Sequence, residues 1–286
     1  MSGFLDQAIQ AILLGGLYAM FALGLAVSVG VLRFINVAHG DLIVLISFIF
    51  LSLTETLGLP LWLSVPLLLP IGAFVGWALQ RGLFQRAADH NEMQIILVTF
   101  GLSVVIQNAL QGIYGADTQK VTAGGIELLS LRVTDTLNIG VLPLMVFVTA
   151  IAMIFALEQF LYRTRLGTMV RAIADDPASA RLVGLSATKL FAVAMAVVGL
   201  TVAIAGGYMA IWTNFDPTSG PSRLLIAFEV VVLAGLGSFW GVLAGGIIIA
   251  GAQTIGASYD SAFQVLGGHI VFLLIFLFRP QGLFPK

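Results

Sequence analysis

Nine apolar segments make up most of this 286-residue chain, and polar stretches separate them. A helix needs about 20 apolar residues to cross a bilayer, because each residue adds about 1.5 Å of length. The last three segments are short, which suits half-helices or tightly packed hairpins. The nine segments are residues 8–31, 41–57, 61–80, 93–113, 141–162, 190–212, 224–238, 241–258 and 263–278.

The low charge content indicates a membrane protein rather than a soluble one. Only 9% of the residues are charged and 59% are hydrophobic, whereas soluble domains carry about 25% charged residues. A soluble fold of this size has too little interior to bury so much apolar surface. We therefore predict one all-α, polytopic helical bundle over residues 1–286, with about eight to nine membrane segments, some short or broken.

Several absences limit the chemistry that this chain can perform. It has no cysteine, which excludes disulfides, thiol catalysis and cysteine-based metal sites. Its net charge of -1 gives no indication of nucleic-acid binding. Its three lysines, Lys120, Lys189 and Lys286, all lie outside any phosphate-binding G-x-x-x-x-G-K-[ST] motif. We expect that this chain does not hydrolyse ATP alone and has no catalytic residue, metal or cofactor of its own.

Positive charge is concentrated between residues 163 and 189, which carry five of the thirteen lysines and arginines. The positive-inside rule places this loop in the cytoplasm. Alternating the spans outward from it puts ten positive residues inside and three outside. This arrangement predicts an external loop at 114–140, with the N-terminus outside and the C-terminus inside.

The cytoplasmic loop contains the signals that begin and end a short helix. Asp176 is a favourable N-cap and Pro177 suits the first helical position. Gly184 suits the position just after a helix. These residues predict a helix over about 177–183, and Ser186 is then placed to cap the following membrane helix.

The predicted loop helix has two interpretations. Its small residues, Ala178, Ser179 and Ala180, would let another backbone approach closely, which favours a rigid peg in a cleft of a cytoplasmic partner. The alternative is an interfacial helix in which Arg171 and Arg181 contact lipid phosphates. The spacing of the residues does not decide between the two.

A polar break follows the first apolar segment and places Asn36, His39 and Asp41 between two long apolar runs. Broken helices occur inside membranes mainly where they line a pathway or are buried in protein. If the break lies inside the bilayer, these three residues are candidates to line a transport route or to join two helices. If it lies at the cytoplasmic surface, it is a turn. A single His–Asp pair does not make a metal site.

Dense glycine between residues 233 and 246 marks a turn between two short helices. Gly235 and Gly237 lie in this turn and are candidates for a pathway or gate. Gly241 and Gly245 have the spacing that favours close helix packing, so packing alone is the alternative explanation.

Four runs of this sequence resemble the branched-chain amino-acid permeases of bacterial ABC importers. The run Phe34–Asp41 is similar to the I-N-x-A-H-G signature of that family, and the run from Arg171 through Ala178 to Gly184 resembles its cytoplasmic coupling loop. The runs 232–238 and 279–284 are similar to it as well. The chain resembles the shorter of the two permease types that pair in these importers.

The resemblance implies a transport mechanism and a set of partners. It implies a multi-pass subunit of the bacterial inner membrane that pairs with a second permease, as a heterodimer or a homodimer. An external binding protein would deliver substrate, and two cytoplasmic ATPases would bind ATP and Mg. Their movement would reach this chain through a coupling helix comprising Asp176, Pro177, Ala178, Ser179, Ala180 and Arg181, ended by Gly184.

The substrate stays open between several classes of small solute. The resemblance implies branched-chain or other apolar amino acids, and related permeases serve urea, short amides or aromatic acids. Ala234–Gly235 stands where members often have Gly-Gly, and Ile46 lies near a position that is often glycine. A stand-alone ion-coupled carrier or channel is a further alternative, disfavoured by the scarcity of charge within the apolar segments.

Overall fold

The computed structural model describes residues 2–88, 92–134 and 137–284 of the chain. Within these ranges the protein is mainly α-helical, with one small antiparallel sheet. The elements are α1 (Ser2–Gly30), α2 (His39–Leu51, extended by a π-helical turn at Ser52–Thr56), α3 (Leu61–Leu79, followed by a π-helical turn at Gln80–Phe84), α4 (Gln85–Ala88), α5 (Glu92–Tyr114), a 3-10 turn (Ile126–Leu128), β1 (Ser130–Thr134), β2 (Leu137–Gly140), α6 (Val141–Arg163), α7 (Arg165–Asp175), α8 (Pro177–Leu182), α9 (Ala187–Trp212), α10 (Gly220–Ala234), α11 (Phe239–Tyr259) and α12 (Phe263–Phe278).

Each of the nine apolar segments forms a helix. In the part of the chain that the structure describes, seven helices are long and apolar enough to cross a membrane. The other two, α10 and α12, have 15 and 16 residues and are shorter than a full span. The predicted polytopic helical bundle with short segments agrees with this architecture, whereas the number of spans and their orientation remain predictions.

Helix α1 lies at the centre of the bundle and packs against α6, α9, α10 and α11. Its residues from Leu17 to Leu25 are almost completely buried, and Gly24 leaves room for the side chains of Thr201 and His39. The same close packing joins α3 to α9, where Gly199 faces Gly72 and Gly76 with no space for a Cβ atom between them. Such contacts explain why a chain of apolar helices carries so much glycine.

The two long loops lie at opposite ends of the bundle, because the single helix α6 connects them. At one end, here called the hairpin end, β1 and β2 pair next to the 3-10 turn. Backbone hydrogen bonds of 2.7 and 2.8 Å join Gln119 to Phe215 and Val121 to Ala210. The other end, here called the α8 end, carries α7 and α8.

Two helices begin inside the bundle rather than at its surface. After α9 the chain folds back, and α10 begins at Gly220 directly beside Gly40 in the first turn of α2. Gly40 has no room for a Cβ because the Gly220 carbonyl lies against it. The first turns of α2 and α10 are therefore side by side in the interior.

Candidate functional site

The polar break is a tightly bounded connection between α1 and α2. Arg33 has φ of 59°, in the left-handed region, and the Phe34 amide donates back to the Ser28 carbonyl at 3.2 Å. Asn36 lies three residues after Arg33, and its side-chain oxygen accepts a hydrogen bond of 3.1 Å from the Ala38 amide. A turn of this kind is a common way for asparagine to begin a helix.

His39 places the far end of the break deep inside the bundle. Its Nε2 lies 2.8 Å from the Phe21 carbonyl oxygen, and the side chain is 1% exposed. The ring also lies next to Gly24, which in turn faces Thr201 of α9. Thr201 comes fourteen residues after Ala187, which corresponds to about 21 Å along α9 from the α8 end. The break thus starts at the surface at Arg33 and ends in the interior.

Asp41 lies where the first turns of α2 and α10 meet. Its carboxylate accepts a hydrogen bond of 2.9 Å from Gln107, whose side chain also bonds Ser103 on α5. Gly220 packs directly against the carboxylate, where a Cβ would not fit. A negative group is favourable at this place, because the N-terminal ends of both helices carry partial positive charge. Asp41 thereby joins α2, α5 and α10.

Two buried polar atoms of the break have no hydrogen-bond partner among the described residues. They are Nδ2 of Asn36 and Nδ1 of His39, in side chains that are 0% and 1% exposed. Most buried polar atoms in proteins are paired with protein or water. These two atoms are therefore places where water or a polar solute would gain a hydrogen bond. The described residues contain no cluster of three or more potential metal ligands.

A cleft of about 420 Å³ brings the break together with the glycine-rich turn. It is lined by Arg33, Phe34 and Ile35 of the break, together with Ile96 of α5 and Leu236 of the turn. The two interrupted regions singled out in the sequence are therefore neighbours in space. Asn36, His39 and Asp41 are not part of this lining and are buried within the chain.

The glycine-rich turn depends on backbone conformations that favour glycine. Gly235 and Gly237 have φ of 83° and 89°, in the left-handed region. The C-terminal segment lies against the turn, where the amides of Leu283 and Phe284 bond the last carbonyls of α10. Gly237 lines a second, smaller cavity that is also bounded by Arg33.

The predicted loop helix is confirmed as α8, one residue shorter than expected. The Asp176 carboxylate accepts from the amides of Ala178 and Ser179 at 3.0 and 3.1 Å, as an N-cap does. Gly184 has φ of 83° just beyond the helix. The prediction for Ser186 is wrong, because it occupies the N-cap position of α9 but its side chain makes no capping hydrogen bond.

The side chains of α8 face in different directions. Ala178 and Ser179 are exposed, whereas Ala180 is 6% exposed and packs within the chain. Ala180 is therefore not available to a partner, which corrects the expectation that all three small residues form one docking face. The side chains of Pro177 and Arg181 lie outside the described part of the structure.

Leu182 and Val183 form an exposed apolar tip at the end of α8. Their side chains are 89% and 76% exposed, and the sequence interpretation did not single them out. The signal was two apolar residues in a polar loop, directly before Gly184. Large apolar side chains that reach water beside a rigid helix are typical of a surface that binds a partner.

Arg171 contacts the end of α6. Its Nε donates to the Leu161 carbonyl at 3.0 Å, and its guanidinium lies 4.5 Å from the centre of the Tyr162 ring. These contacts hold α7 against the end of α6.

The cap of α8 is also an electrostatic feature. Hydrogen bonds from the Ser179 side chain and backbone, and from the Ala178 amide, lower the pKa of Asp176 below its ordinary value. These bonds favour the carboxylate form. Asp176 is therefore ionised at neutral pH and the cap is complete there.

An ion pair joins the break to the α8 end of the bundle. An Arg33 guanidinium nitrogen lies 2.6 Å from a carboxylate oxygen of Asp175, the last residue of α7. Both side chains are exposed, and they border a cavity of about 80 Å³ that also contacts Gly237 and Phe239. The break, the glycine-rich turn and the predicted coupling loop therefore meet at one place.

Buried hydrogen bonds also join the helices farther inside. Glu229 of α10 bonds His269 of α12, and the Tyr18 hydroxyl donates to Gln253 of α11 at 2.5 Å. Glu229 is 2% exposed, so this carboxyl group is buried within the chain. The partners of these polar residues are distant in sequence and are not evident from it.

These features define a polytopic helical membrane protein with interrupted helices and an ordered loop at one end. A family model described as "Branched-chain amino acid transport system / permease component" matches residues 7–278. The chain belongs to this family and, with its seven long apolar helices, is a multi-pass protein of the bacterial inner membrane. This result agrees with the resemblance found in the sequence motifs.

The curated relatives cover nearly the whole chain at modest identity. The high-affinity branched-chain amino acid transport system permease protein BraD of Pseudomonas aeruginosa is 25% identical, covering 99% of this chain and 96% of the relative. The corresponding LivH protein of Salmonella typhimurium is 24% identical, with coverage of 99% and 96%. LivM of the same organism is 23% identical, with coverage of 94% and 68%. No solved structure gives a significant match.

Proposed function

We propose that this chain is the membrane permease subunit of an ABC importer for branched-chain or other apolar amino acids. The observation that carries the proposal is α8, a capped helix with exposed small residues and an apolar tip, in a chain without a phosphate-binding motif. In an ABC importer the energy comes from a separate ATPase, and α8 offers a rigid surface through which a cytoplasmic ATPase can act. The ATP and Mg would be bound by that partner.

The transport route is proposed to run beside the break and the glycine-rich turn. The cleft of about 420 Å³ adjoins both, and Asn36, with its unpaired Nδ2 atom, directly follows Ile35 of the cleft lining. Asp41 helps to hold α2, α5 and α10 around this region. In the same scheme Gly235 and Gly237 allow the chain to change direction after the C-terminal end of α10.

The partners are proposed from the family and from the surface of the chain. The relatives LivH and LivM of Salmonella typhimurium are both named as permease proteins of a high-affinity branched-chain amino acid transport system, which supports a second permease beside this chain. A heterodimer fits this pairing better than a homodimer. Two ATPases would contact the α8 end, and a substrate-binding protein would contact the hairpin end.

The proposal is tested with the complex that co-purifies with a tagged copy of this chain from its native membrane. We expect nucleotide-binding subunits in the complex, and uptake of leucine, isoleucine or valine into liposomes that requires ATP and the binding protein. Urea, a short amide and an aromatic acid serve as comparison substrates. Uptake of one of these alone would correct the substrate, whereas uptake by the isolated chain without ATP would refute the ATP-driven mechanism.

A further inference from the structure

We propose that Arg33 and Asp175 form a reversible bridge that transmits movement of α8 to the buried start of α2. The inference rests on the proposed function, in which α8 receives motion from a cytoplasmic ATPase. It assigns a role to two exposed residues that neither contact the buried polar cluster nor belong to α8. Both act as positioning residues, through the elements to which they are attached.

The path runs from α8 to the start of α2. Asp175 lies a few covalent bonds from α8, and Arg33 lies a few covalent bonds from the start of α2. Asp175 directly precedes Asp176, whose carboxylate caps α8. Arg33 lies three residues before Asn36, whose side chain and carbonyl bond the amides that begin α2. The contact of 2.6 Å between Arg33 and Asp175 closes this path across 142 positions of sequence. A shift of α8 therefore reaches Asn36 through one non-covalent contact.

The surroundings of the pair allow it to break and form again. The cavity of about 80 Å³ separates the end of α1 from α7, so the two helix ends are not locked together by packing at this point. The Arg33 and Asp175 side chains are 61% and 72% exposed. An ion pair so open to water contributes little to stability. This low contribution to stability suits an ion pair that breaks and forms during a transport cycle better than an ion pair that stabilises the fold.

The backbone at Arg33 supports a positioning role. Arg33 is the one non-glycine residue at positive φ in the described chain. Such a conformation is unfavourable for arginine and persists where the surrounding structure requires it. Here it terminates α1 through the Phe34–Ser28 hydrogen bond and directs the Arg33 side chain toward α7. Arg33 is thus both the residue with the unfavourable backbone conformation and one partner of the ion pair.

The test is a charge exchange in the purified importer complex. Arg33→Asp and Asp175→Arg each place like charges together, and the double variant restores an opposite pair. Aspartate tolerates the left-handed backbone better than arginine, so Arg33→Asp is not expected to disturb the end of α1. The control is Arg165→Asp, which removes an exposed positive charge from the same loop.

We expect each single variant to lower the amount of substrate imported per ATP hydrolysed by about two- to fivefold, as suits one exposed pair. The double variant should recover most of this ratio, and the control should keep it. The amount of assembled complex should stay close to the parent in all four proteins. ATP hydrolysis without substrate should stay close to the parent in Asp175→Arg and Arg165→Asp, because neither residue lines the cleft of about 420 Å³. A merely structural role would change complex yield and leave the ratio of import to hydrolysis unchanged.

Two outcomes would overturn the inference. One is an unchanged import ratio in both single variants, and the other is a loss that the double variant does not recover. Ala178→Trp distinguishes failure of the proposed bridge from failure of the proposed function, because it tests whether an ATPase docks on α8. If Ala178→Trp uncouples the complex and the charge variants do not, only the bridge is refuted.

Discussion

The close contact between α3 and α9 predicts that Gly199→Ala lowers the free energy of unfolding. A Cβ at residue 199 would lie 2.0 Å from the Gly72 carbonyl oxygen and 2.7 Å from its carbonyl carbon. Carbon and oxygen atoms in close contact lie about 3.3 Å or more apart. Gly199→Ala therefore requires α3 to move from α9 by about 1.3 Å, and the neighbouring atoms are backbone that cannot rotate away.

Two opposing effects set the size of the change. Overpacking of this kind costs about 1–3 kcal/mol. Alanine in place of glycine within a helix contributes about 1 kcal/mol in the other direction. We expect Gly199→Ala to lower the free energy of unfolding by up to about 2 kcal/mol. Gly101→Ala is the matched control, because Gly101 is also within a helix but has no neighbouring atom within 4 Å of an added Cβ.

Comparison of the two variants isolates the packing contribution, because the helix-propensity gain is common to both. Gly101→Ala should raise the thermal midpoint slightly and Gly199→Ala should lower it. The assay is thermal unfolding of detergent-purified chain at a fixed scan rate, since membrane proteins often unfold irreversibly. Equal midpoints for the two variants would refute the close α3–α9 contact.

The remaining predictions concern the break and the α8 loop. His39→Leu removes the bond to the Phe21 carbonyl and should reduce substrate uptake at normal expression, and unchanged uptake would limit His39 to a structural role. Ala178→Trp should abolish substrate-stimulated ATP hydrolysis while membrane insertion stays normal, and preserved stimulation would argue against docking at α8. The lowered pKa of Asp176 means that its contribution to the cap is present above the unfolded pKa, about 3.9, and is lost as pH falls through the folded value. Hydrogen exchange of the Ala178 amide should therefore speed up in acid, relative to intrinsic exchange, but not in Asp176→Asn; equal behaviour of the two proteins would contradict the assignment.

Local rules were sufficient for α8 and for the helical segments. A cap and a terminating glycine act on residues three or four positions away, so Asp176 and Gly184 could be interpreted without tertiary structure. The same rule was insufficient for Ser186, which has the right position and residue type but makes no capping hydrogen bond. Position in the sequence specifies a cap candidate, and the side-chain conformation decides whether the bond forms.

The depth of the break required the packed structure. The sequence showed polar residues between apolar runs but allowed either a surface turn or an interior position. The contact of His39 with Phe21 shows that the His39 end of the break lies in the interior of the bundle, because it places the start of α2 beside the middle of α1. The start of α10 beside Asp41 follows from the chain folding back after α9, which no local pattern specifies.

The chain's own sequence determined that it is a helical membrane protein, where its apolar segments lie, and that its positive loop contains a capped helix. These properties depend on hydropathy and on neighbours within one helical turn. Tertiary structure alone decided that Ala180 faces inward, that Glu229 meets His269, and that Arg33 reaches Asp175. Such contacts join residues distant in sequence, and their geometry is set by how the helices pack.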